Sequence, residues 1–180
     1  INQVASDTTR LLGDHFLQRM KLELDLAENL PPVPASKHFL QQILLNFIFN
    51  AADATEGSGR IVLHSGRTVH PASPLALSPE HAEGYVFLAV QDYGCGITPE
   101  VLSRVFEPFF TTKGFSSRRG TGLGLTMVYE LASKMGCGLK VESTPGAGST
   151  FTVFIPIRSL PGTGGLAEDP AKRFTPPDKS

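Results

Sequence analysis

Cysteine is nearly absent: Cys95 and Cys137 are the only two in 180 residues. Two thiols cannot build a disulfide framework or a cysteine-rich metal cluster, and their scarcity suits a reducing, cytoplasmic setting. Net charge is almost absent as well, because 16 Lys and Arg meet 17 Asp and Glu for a formal −1. That balance excludes a basic nucleic-acid grip as the main activity, and equally an acidic solvating tail. No run approaches the ~20 consecutive apolar residues of a membrane span. No charged-then-apolar leader opens the chain, so no direct membrane contact is expected of it. Also missing are the P-loop pattern, HExxH, CxxC and any Ser-His-Asp arrangement, and none of the five histidines has an evident catalytic partner.

What is present suffices for one folded unit. Apolar residues make up 41% of the chain, enough for a single core. Val4, Thr8, Leu11, Leu12 and Phe16 have helical spacing, which predicts one amphipathic helix over 2–20. Leu22, Leu24 and Leu26 alternate with charges and predict a strand buried on one face. Pro31, Pro32 and Pro34 force an extended connector, after which Ser36 is a candidate N-cap. From it, Phe39, Leu40, Ile43, Leu44, Phe47, Ile48 and Ala51 form an apolar stripe at 3.6 spacing, ending after Ala54. Strands follow at 59–67 and 85–92, separated by a loop rich in Pro, Ser and Ala. Thr98–Pro99 predicts a short helix to about Val105. A long aperiodic loop precedes a helix over 123–135, then come strands at 138–144 and 148–157 around a Pro-Gly turn. Residues 159–180 have little apolar content and predict a mobile tail. There is no internal repeat. Strands in pairs with helices between them predict α+β: one mixed sheet with helices on one face.

Three places could carry chemistry. On the helix from Ser36, Gln42, Asn46 and Asn50 repeat at i, i+4, with Asp53 one turn on. Asparagine is a poor helix-interior residue, so this line either faces something polar, such as a Mg²⁺ ion taking neutral oxygen ligands, or is a solvated face. Asp92 ends a buried strand and is followed by Gly94 and Gly96. An ionised carboxylate only accepts hydrogen bonds and would suit the exocyclic amino group of adenine; an ordinary turn role is the other reading. Gly120-Thr121-Gly122-Leu123-Gly124-Leu125 opens a helix, where successive N–H groups favour phosphate. It is not a GxGxxG fingerprint, since the third glycine would fall on Leu125. Lys113, Arg118 and Arg119 precede it and either reach phosphate or are solvated. Thr150 starts the last strand, where its hydroxyl could hold a base or water near Asp92, and Cys95 reads as a small residue in a tight loop.

The order of these pieces resembles the catalytic, ATP-binding domain of bacterial sensor histidine kinases, in the superfamily shared with gyrase, Hsp-type chaperones and MutL. The carrying motifs are QQILLNFIFNAADA (41–54), DYGCGI (92–97), FEPFFTTK (106–113) and GTGLGL (120–125). Their wording is similar to the nitrogen-regulatory branch. The resemblance spans about 20–157 and implies a two-layer α/β sandwich with a flexible ATP lid from about Thr111 to Gly120. By the same resemblance Asn50 would hold Mg²⁺, with Asn46 beside the metal and phosphates, and both would act in catalysis. Asp92 would bind the adenine amino group. Asp53, Gly94, Gly96, Ile97, Lys113, Arg118, Arg119, Gly120, Thr121, Gly122, Leu123, Gly124, Leu125 and Thr150 would complete the ATP contacts.

The activity implied is that of a protein histidine kinase, transferring the γ-phosphoryl of Mg-ATP to a histidine on separate dimerisation helices, with a response regulator downstream. The alternative is a nucleotide-binding regulatory module that transfers nothing. The sequence departs from the family in two ways. Asp53 stands where many relatives carry a lysine, and no H-E-x-x-x-P acceptor segment is present, His15 in GDHFLQ not fitting one. The acceptor is therefore expected upstream in the same parent, and the chain alone is expected to be a monomer. On this reading residues 1–19 come from the side of the dimerisation domain, 20–158 form the ATP-binding unit and 159–180 are the tail.

Overall fold

A computed structural model of the chain describes residues 1–56, 59–111 and 122–158. The alternating leucines after residue 20 form β1 (Met20–Leu26), which is joined by β2 (Gly59–Thr68), β3 (Tyr85–Asp92), β4 (Gly138–Thr144) and β5 (Gly148–Pro156). They make one mixed sheet in the order β1-β2-β3-β5-β4. β1 and β2 run parallel, and the other three pairs are antiparallel. A parallel pair needs a long crossover, and here it contains the helix α3 (Lys37–Ala54). Ser36 caps that helix by accepting from the Phe39 N–H at 3.4 Å.

Strand periodicity sorts the sheet into two faces. Ile61 and Leu63, Val86, Leu88 and Val90, and Phe151, Val153 and Ile155 are all buried on the face that meets the helices. The stripe of α3 covers them, with the Phe47 ring centroid 5.3 Å from that of Phe151. α5 (Gly124–Lys134) adds Val128, Leu131 and Ala132 to the same core. Truncating Phe47 to Ala would remove the centre of this layer, at about 3–5 kcal/mol for a buried aromatic. The opposite face at the β1 edge carries Lys21, Glu23 and Asp25, whose charges discourage further strand pairing.

Two boundaries differ from the sequence reading. The helix expected over 2–20 is two helices, α1 (Asn2–Arg10) and α2 (Asp14–Arg19). α1 ends with Leu11 as its C-cap, and Gly13, in an extended conformation, is the N-cap of α2. α1 joins the core through Val4 and Ala5, Leu12 follows from the turn after it, and Asn2 pins the helix to the sheet by donating to the Ala27 carbonyl at 2.7 Å and accepting from Ser65 Oγ at 2.8 Å. So residues set apart in the sequence reading pack on the same core as 20–158. The helix expected from Thr98 to Val105 is α4 (Pro99–Leu102) and stops where Ser103 bonds back to the Glu100 carbonyl.

Candidate functional site

A cleft of about 600 Å³ lies between the C-terminal half of α3, the turn after β3, α4 and the start of α5. At one end stands Asp92, last residue of a central strand and only 3% exposed. Its Oδ1 accepts from the N–H of Gly94 at 2.9 Å and of Ser149 at 3.3 Å. Burial pushes this carboxyl above its ordinary pKa, and the two N–H donors only partly offset that. Among the described residues none donates to its other oxygen, which is left for a donor in the cleft. Gly96, Ile97, Val101 and Phe151 line the cleft and supply a flat apolar slot. At Gly96, φ is +67° and a Cβ would come 2.1 Å from the Thr144 carbonyl oxygen, so only glycine fits between the turn and the β4–β5 hairpin.

At the other end Gly122, Gly124 and Leu125 reach the cleft from the start of α5. The first N–H groups of a helix have no partner within it and, with the dipole, favour an anion. Asn50 and Asp53 line the cleft from α3. Asn50 Nδ2 is shut off from solvent with no hydrogen-bond partner, an orphaned polar atom in the wall of the cleft. Among the described residues no group of three or more His, Cys, Asp or Glu could hold a metal.

The three phenylalanines of FEPFF part company. Phe106 packs on Tyr129 with centroids 5.8 Å apart. Phe110 lines the cleft beneath the Arg104 guanidinium, 4.4 Å above its ring. Phe109 is 75% exposed, and its N–H donates to the Gly122 carbonyl at 3.1 Å. That bond ties together the two ends of the segment between the cleft and α5.

Of the residues singled out from the sequence, Asn50, Asp53, Asp92, Gly96, Ile97, Gly122, Gly124 and Leu125 meet in this cleft. Asn46 does not line it. Its Nδ2 donates to the Gln42 carbonyl at 2.8 Å, and its Oδ1 lies where a Cβ on Gly124 would come within 2.7 Å. Asn46 thus sits beneath the first residue of α5. Gly94 acts through its N–H on Asp92, and Leu123 is exposed outside the lining. Thr150 is a correction. It pairs with Gln91 and Glu142, and strand alternation turns it away from the cleft that Ser149 and Phe151 line. Lys113, Arg118, Arg119, Gly120 and Thr121, most of the expected lid and the tail from 159 lie outside the described residues. The sequence reading missed Phe49, Ala54, Val101, Val105, Phe110 and Ser149 in the lining. Ser149 had a signal, because counting by two from the core residue Phe151 finds it, and Phe49, Ala54 and Phe110 lie inside the motifs 41–54 and 106–113.

The structure thus places a polar helix face, a buried strand-end carboxylate and a glycine-opened helix around one cleft of a two-layer sandwich. Residues 35–159 match the family described as "Histidine kinase-, DNA gyrase B-, and HSP90-like ATPase", and the chain belongs to it. Among similar proteins, Sensor kinase CckA of Brucella abortus (strain 2308) is 36% identical over 160 residues, covering 87% of this chain and 16% of the relative. Sporulation kinase E of Bacillus subtilis (strain 168) is 32% identical, covering 88% and 19%. The signal transduction histidine-protein kinase AtoS of Escherichia coli (strain K12) is 30% identical, covering 87% and 23%. The chain therefore spans less than a quarter of these relatives. Among solved structures, full-length ShkA in complex with AMPPNP superposes with a TM-score of 0.67 at 26% identity, over 88% of this chain and 30% of that one. The catalytic domain of histidine kinase ThkA gives 0.66 at 24% identity, over 87% and 91%, a likeness of fold. The chain is thus similar, over most of its length, to the part of these kinases that it spans. Among the described residues no helix is long and apolar enough to cross a membrane.

Proposed function

We propose that the cleft holds ATP with its adenine amino group on Asp92 and its phosphates at the start of α5, and that the γ-phosphoryl passes to a histidine on dimerisation helices elsewhere in the parent protein, from which a response regulator takes it. The observation that carries the reading is the open oxygen of Asp92. A buried carboxylate held by two N–H groups on one oxygen presents a fixed acceptor on the other, and an exocyclic amino group is its natural complement.

Asn50 would be the residue to hold a magnesium ion. It lines the cleft between the base end and α5, and its neutral amide oxygen suits a hard cation that is shared with phosphates. When bound, the ion would neutralise charge on the phosphates. The chain itself supplies position: Asp92 fixes the base, the α5 N–H groups face the phosphates and the apolar lining excludes water. The work is expected on the cytoplasmic side, whatever anchors the parent.

Calorimetry of ATP binding with and without Mg²⁺ is the test. Asn50→Ala should weaken binding mainly when Mg²⁺ is present, because an ion bridge and not a base contact is lost. If Asn50→Ala binds Mg-ATP as tightly as the unaltered chain, the metal role falls. Supplying the parent's acceptor helices with this domain and labelled ATP should place acid-labile phosphate on those helices. Label retained on this chain's own histidines would overturn the transfer reading.

A further inference from the structure

Ser143, the next-to-last residue of β4, is outside every motif considered so far, yet it joins three parts of the base end of the cleft. Its Oγ accepts from the Ile97 N–H at 2.7 Å, donates to the Gly148 carbonyl at 3.0 Å and lies 3.0 Å from Ser149 Oγ. Ile97 and Ser149 both line the cleft, and the Ser149 N–H is one of the two donors that fix Asp92. A serine hydroxyl has one proton and two lone pairs. Giving its proton to Gly148 and one lone pair to Ile97 leaves Ser143 a second lone pair for the Ser149 hydroxyl, the assignment that satisfies all three contacts at once. In that assignment the Ser149 hydroxyl, 4% exposed, spends its proton on Ser143 and keeps only lone pairs for the cleft.

We propose that Ser143 is a specificity-positioning residue: by consuming the Ser149 proton it makes Ser149 a second acceptor beside Asp92, so that the base end of the cleft takes a 6-amino purine and rejects a 6-oxo purine. This rests on the nucleotide reading above. Adenine brings an amino group with two hydrogens to these two acceptors. Guanine brings a carbonyl oxygen, which would face acceptors alone and leave buried polar groups unpaired.

Ser143→Ala removes the acceptor and frees the Ser149 hydroxyl to donate into the cleft. Titrating the 180-residue chain with ATP and with GTP, the ratio of the two affinities should fall about tenfold, the scale of one hydrogen bond. Ser143→Thr keeps the hydroxyl on a strand that tolerates a β-branched residue, so it should restore the ratio. A purely structural part would weaken both nucleotides alike and leave the ratio where it was. Ser149→Ala, which leaves the Ser143 bonds to Ile97 and Gly148 in place, is a second arm that does not depend on Ser143→Ala folding. It too should lower the ratio, and adding Ser143→Ala to it should change the ratio no further. If the unaltered chain binds no ATP, the nucleotide reading and this inference fall together. If it binds ATP and either serine-to-alanine change keeps its ratio, this inference falls alone.

Discussion

Replacing Asp92 by Asn changes one oxygen for an NH₂ at a site whose geometry dictates which way the amide must point. Oδ1 already accepts from Gly94 and Ser149, so the carboxamide oxygen takes that side and the NH₂ turns to the cleft. There it meets the adenine amino group, donor against donor. A hydrogen bond to a charged acceptor is lost and replaced by a mismatch, which is about 1.5–3 kcal/mol, or roughly 10- to 150-fold in ATP affinity. The same NH₂ suits the guanine carbonyl, so GTP should bind more tightly than to the unaltered chain while ATP binds less tightly. Stability moves the other way. Burial raises the Asp92 pKa in the fold, which means the charged carboxylate is disfavoured there relative to the unfolded chain. A neutral Asn escapes that penalty, so the empty variant should melt no lower than the parent at neutral pH. As pH falls through the raised folded-state pKa, the parent takes up a proton and gains relative stability, and the gap in melting temperature should close. Calorimetric titrations with both nucleotides and scanning calorimetry across pH test the two halves separately. Unchanged ATP affinity, or an empty variant that melts well below the parent at neutral pH, would refute the argument.

Gly124 and Asn46 should be coupled. Gly124→Ala puts a Cβ 2.7 Å from Asn46 Oδ1 and should destabilise by about 1–3 kcal/mol, despite alanine's better helix propensity; Asn46→Ala should relieve most of it, and additive losses in denaturant titrations would rule out the contact. The two thiols should part under a maleimide reagent. Cys137 is 1% exposed with its thiol pushed up to about 12 by burial, so only the exposed Cys95 should label in the native chain. Because Cys95 lines the cleft, ATP should slow its labelling, and a rate unaffected by saturating ATP would count against the placement of the nucleotide. Glu23 is held down to about 2 by its hydrogen bonds from Arg60 and then Lys21. Its depressed pKa contributes stability above the ordinary 4.5 that is lost as pH falls towards about 2. Glu23→Gln should flatten melting temperature against pH in that window at low salt, and the difference should shrink at high salt because the group lies at the surface.

What could be read from the sequence follows from the range of the forces involved. The stripe of α3 and the alternation of β3 are local repeats, and the structure buries Leu40, Ile43, Leu44, Phe47 and Ile48 on one side and Val86, Leu88 and Val90 on the other. The break in the first helix was not legible because both halves share one spacing pattern, with α1 ending at Arg10 and Gly13 standing as N-cap of α2. Asp92 was legible since a carboxylate at the end of a buried strand, followed by two glycines, is an anomaly within a few residues. Asn46 and Asn50 were not separable by the same means. They lie one turn apart on one face of one helix, and only the approach of α5 puts Gly124 over the first and leaves the second in the wall of the cleft. The apolar lining was illegible for a related reason. Val101, Val105 and Phe110 come from separate turns and look like core residues until the chain brings Asp92 and Gly122 to face them.

Thr150 shows where local reasoning should have gone further. Phe151 belongs to the core, and a strand alternates by two, so its neighbour Thr150 must face away and Ser149 must share its side. The choice of threonine followed residue chemistry and ignored register. Register also explains why Ser143 escaped notice. It faces Ser149 across the β4–β5 ladder, a relation that exists only once the hairpin is paired. In this fold Asp92 and the glycines of the cleft stand out in the sequence by their oddity, while Ser143 and Ser149 are ordinary residues whose importance comes from what stands opposite.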